Sequence, residues 1–277
     1  MSASKLNFVG GSERGSVAGW LLKWLLVLAF SWVLLTGLLV LMFRWTDPPT
    51  SAFMLEARLQ AYADHDGNYR TSHEWASLEH ISPHAAIAVI ASEDQQFPFH
   101  AGFDLNSIRE SVRASERGKK LRGASTISQQ VAKNLFLWNG HSFVRKALEA
   151  WLTVLIEALW PKERILEVYL NIVELGRGVY GVQAAAHRFF HKPAAQLSSG
   201  EAALLAAVLP NPIKMHADRP SAYVLSRKEW ILGQMRSLGG AAYCSLAESA
   251  CGASSGHHSV APRQKAWFLP GAPHARS

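Results

Sequence analysis

The segment ASEDQQFPFHAGFD, residues 91–104, concentrates side chains that can accept or donate a proton. Glu93 and Asp94 directly follow the apolar run AAIAVI at 85–90, so a helix over that run would deliver Glu93 at its end. Apolar surroundings raise the pKa of a carboxyl group, and a general base that works near neutral pH requires that shift. The pattern therefore predicts a general base at Glu93, although two solvated acids at a helix end would have the same sequence.

Other side chains of this segment are candidates to support that base. Asp94 can accept hydrogen bonds from backbone N–H groups or from His100. The rings of Phe97 and Phe99 are expected to exclude water from the two carboxylates.

A second segment, GASTISQQVAKNLF at residues 123–136, has the features of an anion-binding helix. Its apolar side chains recur at helical spacing and predict one buried stripe, formed by Ile127, Val131 and Leu135. The polar side chains predicted on the opposite face are Gln129, Gln130, Lys133 and Asn134. Ser125 and Thr126 lie at the helix start, where free N–H groups favour a phosphate or pyrophosphate. Thr126 and Gln129 also fit a capping box, so an ordinary capped amphipathic helix is the alternative.

The segment VRKALEA at residues 144–150 places a glutamate one turn after two cations. Arg145 and Glu149 are four positions apart and Lys146 and Glu149 are three apart, so both pairs can meet on a helix. The apolar residues around them predict a largely buried helix: Leu148, Trp151, Leu152, Leu155 and Ile156. A buried glutamate requires a partner or a function, whereas on an exposed face these would be ordinary surface ion pairs.

Helices are the elements predicted to position these groups, because helical periodicity is dense from 83 to 236. Residues 54–80 are also predicted to be helical, with a break at HDGNYR, 65–70. The helices predicted further along the chain cover 142–160, 161–173 and 198–212.

The ends of these later helices carry recognisable signals. Pro161 suits the first helical position, and Ser198 or Ser199 suits an N-cap. The glycine cluster GRGVYG at 176–181 follows a helix rather than a strand, which excludes a dinucleotide-binding loop. We expect these glycines to allow a sharp turn and close backbone approach.

Residues 24–43 contain no charged side chain and predict a retained transmembrane helix. A helix of this length spans ~30 Å, the hydrocarbon thickness of a bilayer. Basic residues exceed acidic ones before the span, which predicts a cytoplasmic N-terminus. The sequence thus predicts these regions: a cytoplasmic N-terminus at 1–23, an anchor at 24–43, a linker at 44–53, a globular domain at 54–240 and a mostly disordered tail at 241–277.

Composition and charge exclude several functions. Beyond Arg44 the chain is only mildly basic, so nucleic acid is not an expected partner. Cys244 and Cys251 could pair in an oxidising compartment or remain unpaired, and no Cys/His spacing supports zinc. The basic cluster from Arg109 to Arg122 either contacts anionic lipid headgroups or is a solvated helix face.

Taken together, four segments resemble the peptidoglycan glycosyltransferases, the transglycosylase module of bifunctional penicillin-binding proteins. They are EDQQFPFHAGFD, GASTISQQVAKN, RKALEA and KERILEVYLNIVELGRGVYGVQAAAHRFF, in the family's order and spacing. The likeness covers about residues 75–235. No transpeptidase Ser-x-x-Lys motif accompanies them, so the chain resembles the monofunctional, membrane-anchored biosynthetic form.

The resemblance implies a mostly α, lysozyme-like, two-lobed glycosyltransferase domain behind the single anchor. It implies polymerisation of lipid II with inversion and release of undecaprenyl pyrophosphate. By position, Glu93 would be the general base, supported by Asp94. Glu149 would be the second catalytic acid, which orients substrate groups or helps a divalent cation, Mg or Mn, to hold the pyrophosphate.

The resemblance also implies a set of substrate-binding residues around the two acids. Lys133 and Arg145, with the polar face of the second segment, would stabilise the leaving pyrophosphate. The substrate-binding residues so identified are Asp94, Phe97, His100, Ser125, Thr126, Gln129, Gln130, Lys133, Asn134, Arg145 and Lys146. His141 departs from the family pattern, because many relatives carry a basic residue four positions before the arginine of RKALEA.

The implied partners are lipid II, the growing undecaprenyl-pyrophosphate-linked glycan, membrane lipids and other cell-wall synthesis or division proteins. The implied location is the inner membrane, with the catalytic domain in the periplasm. The enzymatic alternative is a lysozyme-like glycan-cleaving enzyme, and the non-enzymatic one is an inactive, membrane-tethered scaffold. The predicted pyrophosphate site and the presence of both acids argue against these alternatives.

Overall fold

The computed structural model describes residues 17–106, 109, 125–140, 142–240 and 243. Several predicted features lie outside these residues: most of the N-terminal charges, most of the basic cluster, His141, both cysteines and all of the tail except Tyr243.

Within the described residues the protein is mostly helical, as the sequence predicts. The α-helices are α1 (Val17–Met42), α2 (Ala52–Ala63), α3 (Pro83–Glu93), α4 (Ile127–Phe136), α5 (Phe143–Leu159), α6 (Lys162–Ile172), α7 (Val182–Phe190), α8 (Ser199–Val208) and α9 (Ala222–Ser237). The strands are β1 (Ser72–His73), β2 (Glu174–Gly176) and β3 (Val179–Tyr180), with 3-10 turns at Leu78–His80, Phe97–Phe99 and Ala194–Gln196.

Helix α1 is long and apolar enough to cross a membrane over Gly19–Met42. It begins at Val17, seven residues before the predicted start at position 24. Most of its leucine, valine and tryptophan side chains are exposed, so they have no protein core to bury them. This is the pattern expected of a helix whose apolar surface faces lipid.

The prediction of a helix that resumes after the break at 65–70 is wrong. Helix α2 ends at Ala63, and His65 adopts a left-handed conformation with φ 55°. Ser72 and His73 are instead extended, because β1 pairs in parallel with β3. The Ser72 N–H donates to the Gly178 carbonyl over 2.7 Å, so a distant element satisfies this backbone.

The glycine cluster forms the turn between β2 and β3, which pair antiparallel. Gly178 has φ 72°, and a Cβ there would lie 2.4 Å from the Arg70 carbonyl oxygen. The expected sharp turn and close backbone approach are therefore confirmed, and only glycine fits this position.

The predicted N-cap at Ser198 is confirmed, whereas Pro161 lies one position earlier than predicted. Ser198 caps α8 in a capping box with Glu201, and α8 ends at Val208, before the prolines. Pro161 is the N-cap of α6 rather than its first helical residue, and Lys162 takes that position.

The helices pack as two lobes. Helices α3, α8 and α9 pack together as one lobe, while α4 packs on α2, α5 and α6 in the other. Fully buried side chains such as Ile87 of α3, Ile127 of α4 and Tyr169 of α6 belong to the core cluster. The end of α3 meets the start of α4 where the lobes join.

The anchor is bonded to the rest of the protein rather than joined by a free linker. The Trp160 Nε1 donates to the Val40 carbonyl over 2.7 Å, and Arg164 donates to the carbonyls of Phe43 and Thr46 over 3.1 and 2.7 Å. These contacts hold the end of α1 against α5 and α6.

Candidate active site

Glu93 is the last residue of α3, a helix whose residues from Ala85 to Ala91 are all buried. Its side chain is only 18% exposed, and its Oε2 accepts a hydrogen bond from Gln130 Nε2 over 3.0 Å. The Arg227 Nη2 lies 3.9 Å from its Oε1. Burial raises the pKa of Glu93, while Gln130 and Arg227 act in the opposite direction. The predicted desolvation of this carboxyl group is confirmed.

Asp94 is a buried acceptor that joins α3 to α4. Its Oδ2 accepts the Ile127 N–H of α4 over 3.0 Å. His100 Nε2 lies 2.9 Å from the same oxygen, and His100 Nδ1 accepts the Gly102 N–H over 3.1 Å. Because Nδ1 accepts, the ring proton of neutral His100 resides on Nε2 and is donated to Asp94. Both hydrogen-bonding predictions for Asp94 are confirmed.

The two phenylalanines have different environments. Phe97 is 2% exposed and packs edge-to-face on His100 at 6.3 Å between ring centroids. It shields the histidine from behind and has little surface for a substrate. Phe99 is 64% exposed, so its predicted role in excluding water is wrong. Its ring faces Tyr243 instead, at 6.4 Å.

The start of α4 is a capping box, as the sequence predicts. Thr126 accepts the Gln129 N–H, and the Gln129 Oε1 accepts the Thr126 N–H over 3.0 Å. The Gln129 side chain therefore folds back on the helix start and is buried, away from the predicted polar face. Ser125 precedes this cap and is exposed.

Gln130 connects the carboxylate to the protein core. While its Nε2 donates to Glu93, its Oε1 accepts from the buried Tyr169 hydroxyl over 3.1 Å. Burial raises the pKa of Tyr169, so this hydroxyl stays protonated and remains a donor. Gln130 is consequently fixed with its amide N–H toward Glu93.

Lys133 lies one turn further along α4 and interacts electrostatically with both predicted catalytic acids. Burial lowers its pKa, while Glu149 and Glu93 act to raise it. The ammonium group also lies 5.3 Å from the ring centroid of Phe53. The next residue, Asn134, is buried and its Oδ1 has no hydrogen-bond partner among the described residues. A polar ligand could satisfy that oxygen.

Glu149 is buried in α5 and bonded to both cations predicted for it. Its Oε2 accepts from Arg145 Nη1 over 2.8 Å, and its Oε1 is bonded to the Lys146 ammonium. Glu149 is 3% exposed, which excludes the alternative of an ordinary surface pair. Arg145 Nε is buried without a partner among the described residues, so the guanidinium has hydrogen-bonding capacity left.

Seen as a whole, the site has an acidic end and a cationic end joined by α4. Gln130 contacts Glu93 at one end, and Lys133 interacts electrostatically with Glu149 at the other. A base at one end can take a proton from an attacking group. Cations at the other end can stabilise an anionic leaving group.

The cationic end does not provide the ligands of a divalent metal. Both Glu149 oxygens are engaged by cations, and no group of three or more His, Cys, Asp or Glu side chains occurs among the residues that the structure describes. Lys133, Arg145 and Lys146 outnumber the single acid. This donor set favours an anion over a further cation.

The sequence analysis did not identify two residues near Glu93 as members of the site. Tyr169 lies in the KERILEVYLN segment, but its apolar helical context indicates only a core position. Arg227 lies in α9, far along the chain, and nothing in its local sequence relates it to Glu93. Both contacts depend on how the lobes pack.

Comparison with known proteins identifies the family of this chain. A family model described as Transglycosylase matches residues 60–236. The chain is 51% identical over 222 residues to a biosynthetic peptidoglycan transglycosylase of Xylella fastidiosa (strain M23), covering 80% of this chain and 91% of the relative. Proteins with the same description in Pectobacterium carotovorum and Klebsiella oxytoca are 48% and 53% identical over 235 and 219 residues. These alignments cover 83% and 79% of this chain, and 95% and 90% of the relatives.

Proposed function

Because the chain belongs to the transglycosylase family and is a peptidoglycan glycosyltransferase with the lysozyme-like fold, we propose that Glu93 is its general base. The observation that carries this role is the buried carboxylate at the end of α3, with a raised pKa and one fixed hydrogen bond from Gln130. A raised pKa makes the carboxylate a stronger base, which favours its acceptance of a proton.

The reaction joins a growing glycan, linked to undecaprenyl pyrophosphate, to lipid II. The 4-hydroxyl of the lipid II GlcNAc attacks C1 of the donor MurNAc, and its proton passes to Glu93. The C1–oxygen bond to pyrophosphate breaks as the new glycosidic bond forms, which inverts the configuration at C1. Undecaprenyl pyrophosphate leaves with the bonding electrons.

The negative charge that develops on the leaving group requires compensation. Lys133, Arg145 and Lys146 supply it, since their positive charges gather around Glu149. Glu149 orients two of these cations through its two oxygens. The unpartnered Arg145 Nε and Asn134 Oδ1 offer further contacts to the diphosphate or to the sugar beside it.

His100 and Phe97 support the carboxylates, because His100 holds Asp94 and Phe97 packs behind His100. Their predicted role in binding substrate stays a prediction. Thr126 and Gln129 shape the start of α4. Ser125, exposed beside this cap, is available to a substrate headgroup.

We also propose that α1 anchors the enzyme in the inner membrane, with the N-terminus in the cytoplasm and the catalytic domain at 54–240 in the periplasm. The apolar exposed surface of α1 supports anchoring. Contacts from Thr36 to Trp151 and from Val40 to Trp160 indicate that α5 and α1 run side by side in the same direction. Phe143 at the start of α5 is 98% exposed, and this parallel arrangement puts it on the side of the N-terminal part of α1, which supports a position toward the membrane. The candidate active site is thus held close to prenyl-linked substrates, which raises their effective concentration.

Incubation of the purified full chain with lipid II separates transfer from cleavage. We expect glycan polymer and free undecaprenyl pyrophosphate, and no shortening of finished glycan strands. Cleavage of finished strands without polymer formation would instead identify a lysozyme-like hydrolase. Absence of both reactions would identify an inactive scaffold.

A further inference from the structure

A ring of hydrogen bonds lies behind the turn that carries Glu93, and the backbone of His100 and of residues 127–128 completes it. We call this ring the circuit. It begins at Asp94, which is bonded to the His100 ring over 2.9 Å. The carbonyl oxygen of the same His100 accepts from Lys162 Nζ over 2.6 Å. The first residue of α6 therefore contacts the loop that orients Asp94.

The circuit continues through Glu157 of α5 and returns along α4. The Lys162 ammonium donates to Glu157 Oε1 over 2.8 Å, and the Ser128 hydroxyl donates to the same oxygen. Ser128 follows Ile127, whose N–H donates to Asp94 over 3.0 Å. The circuit thus ties α4, α5 and α6 to the end of α3.

The members of this circuit are shielded from water. The side chains of Glu157 and Lys162 are 9% and 15% exposed, and Ser128 is fully buried. Lys162 Nζ also lies 4.6 Å from the centroid of the Phe97 ring. Hydrogen bonds and ion pairs in such an environment hold their geometry tightly, and each partner is costly to leave unpaired.

Gly102 shows how little space the circuit leaves. Its φ is +84°, and a Cβ there would lie 2.7 Å from Thr153 Cγ2 and 2.9 Å from Glu157 Cγ. Its N–H donates to the His100 ring, and its carbonyl accepts from the Thr126 hydroxyl over 2.7 Å. The loop that carries His100 is thereby pressed against Glu157.

We propose that Glu157 and Lys162 form a positioning pair for glycosyl transfer: they fix the His100 loop and the start of α4, and through these they fix Asp94 and Glu93. This inference rests on the proposed role of Glu93 as the general base. Among the described residues, neither member of the pair is bonded to Glu93 or to the cations around Glu149, so neither is assigned contact with substrate. Their effect on the reaction is purely one of geometry.

Opening the circuit is expected to slow the chemical step and to leave substrate binding intact. A misplacement of a catalytic group by about 1 Å costs on the order of 100-fold in rate. Glu157→Met and Lys162→Met each remove hydrogen bonds of the circuit, so we expect each to lower kcat by about 10- to 100-fold, with KM within about twofold of wild type.

The double variant Glu157→Met/Lys162→Met distinguishes positioning from simple stabilisation. Each single variant leaves one buried charge unpaired, whereas the double variant removes both charges. We expect the double variant to recover most of the thermal stability that either single variant loses. Because the circuit remains open, we expect its kcat to stay as low as that of the single variants.

The measurement is lipid II polymerisation by the full chain in detergent, at a temperature where circular dichroism shows each variant folded. A double variant with wild-type kcat would overturn the proposal, since the pair would then only stabilise the fold. The matched control is the pair Lys192 and Glu201, whose charged atoms are 2.7 Å apart and which joins α7 and α8. We expect Glu201→Met/Lys192→Met to keep wild-type kcat.

The variant Glu93→Gln separates failure of this inference from failure of the proposed function. If Glu93→Gln abolishes polymerisation while the double variant is fully active, only the positioning role is refuted. If Glu93→Gln is fully active, the base assignment fails, and the positioning pair loses the group it was proposed to position.

Discussion

At the scale of single residues, the environment of Glu93 is a balance between burial and a few polar groups. Burial and the neighbouring Asp94 raise its pKa, whereas Gln130, Arg227 of α9 and Lys133 of α4 lower it. The base must be ionised to accept a proton, so activity is lost as the pH falls through this raised pKa.

The guanidinium of Arg227 is the group in this balance that can be removed most cleanly. We expect Arg227→Met to raise the pKa of Glu93 further, because one cation that favours the carboxylate is lost. The acid limb of the pH profile of kcat/KM should therefore move to higher pH. Arg219→Met, at an exposed arginine paired with Asp218, is the matched control and should leave the limb in place. An unmoved limb in Arg227→Met would contradict this account of the carboxylate's environment.

At the scale of elements, the sequence predicted those features that depend only on residues close together in the chain. The capping boxes at Thr126 and Ser198 need only four consecutive residues, so the sequence alone reveals one and suggests the other. The raised pKa of Glu93 followed from the apolar run before it. The ion pairs of Glu149 followed from helical spacing.

Local sequence patterns did not predict the contacts between elements that are far apart in the chain. Strand β1 pairs with β3, which lies more than a hundred residues along the chain, so the short segment at Ser72–His73 was misread as helix. Phe99 was expected to face inward, but the 3-10 turn directs it outward toward Tyr243. The Glu157–Lys162 pair and Arg227 depend on packing in the same way.

The loop between α3 and α4 offers a test at this scale. Gly102→Ala combines a strained positive φ with overlap against Thr153 and Glu157. Gly239 has a similar φ of +93° but open space around it, so Gly239→Ala carries the backbone strain alone. We expect losses in the free energy of unfolding of about 3 kcal/mol or more for Gly102→Ala and about 1 kcal/mol for Gly239→Ala. Equal losses, measured by denaturant unfolding, would mean that the loop is not tightly packed.

At the scale of the whole molecule, hydrogen bonds join the anchor to the catalytic lobes. Arg164 is the residue that joins them, since it donates to two carbonyls after α1 and to Asp47 over 3.0 Å. Trp151 and Trp160 add hydrogen bonds to α1 itself. These bonds should therefore hold the active site at a constant distance from the bilayer surface.

Removal of the Arg164 side chain tests this coupling. We expect Arg164→Met to lower the rate of lipid II polymerisation in bilayer vesicles by roughly tenfold, because the active site is displaced relative to its membrane-bound substrates. Activity in detergent micelles, where no flat surface fixes the substrate, should change less than threefold. Arg177→Met, at a surface pair with Asp66, is the control and should affect neither assay. Equal losses in vesicles and micelles would show that Arg164 does not set the orientation of the domain.

The assignment of the general base is tested most directly by the initial rate of lipid II polymerisation in Glu93→Gln. Glutamine can still accept the Gln130 hydrogen bond but cannot take up a proton, so we predict a folded protein whose rate is lower by about 100-fold or more. Glu79→Gln, at an exposed acid, should keep the wild-type rate. A wild-type rate in folded Glu93→Gln would contradict the proposed mechanism.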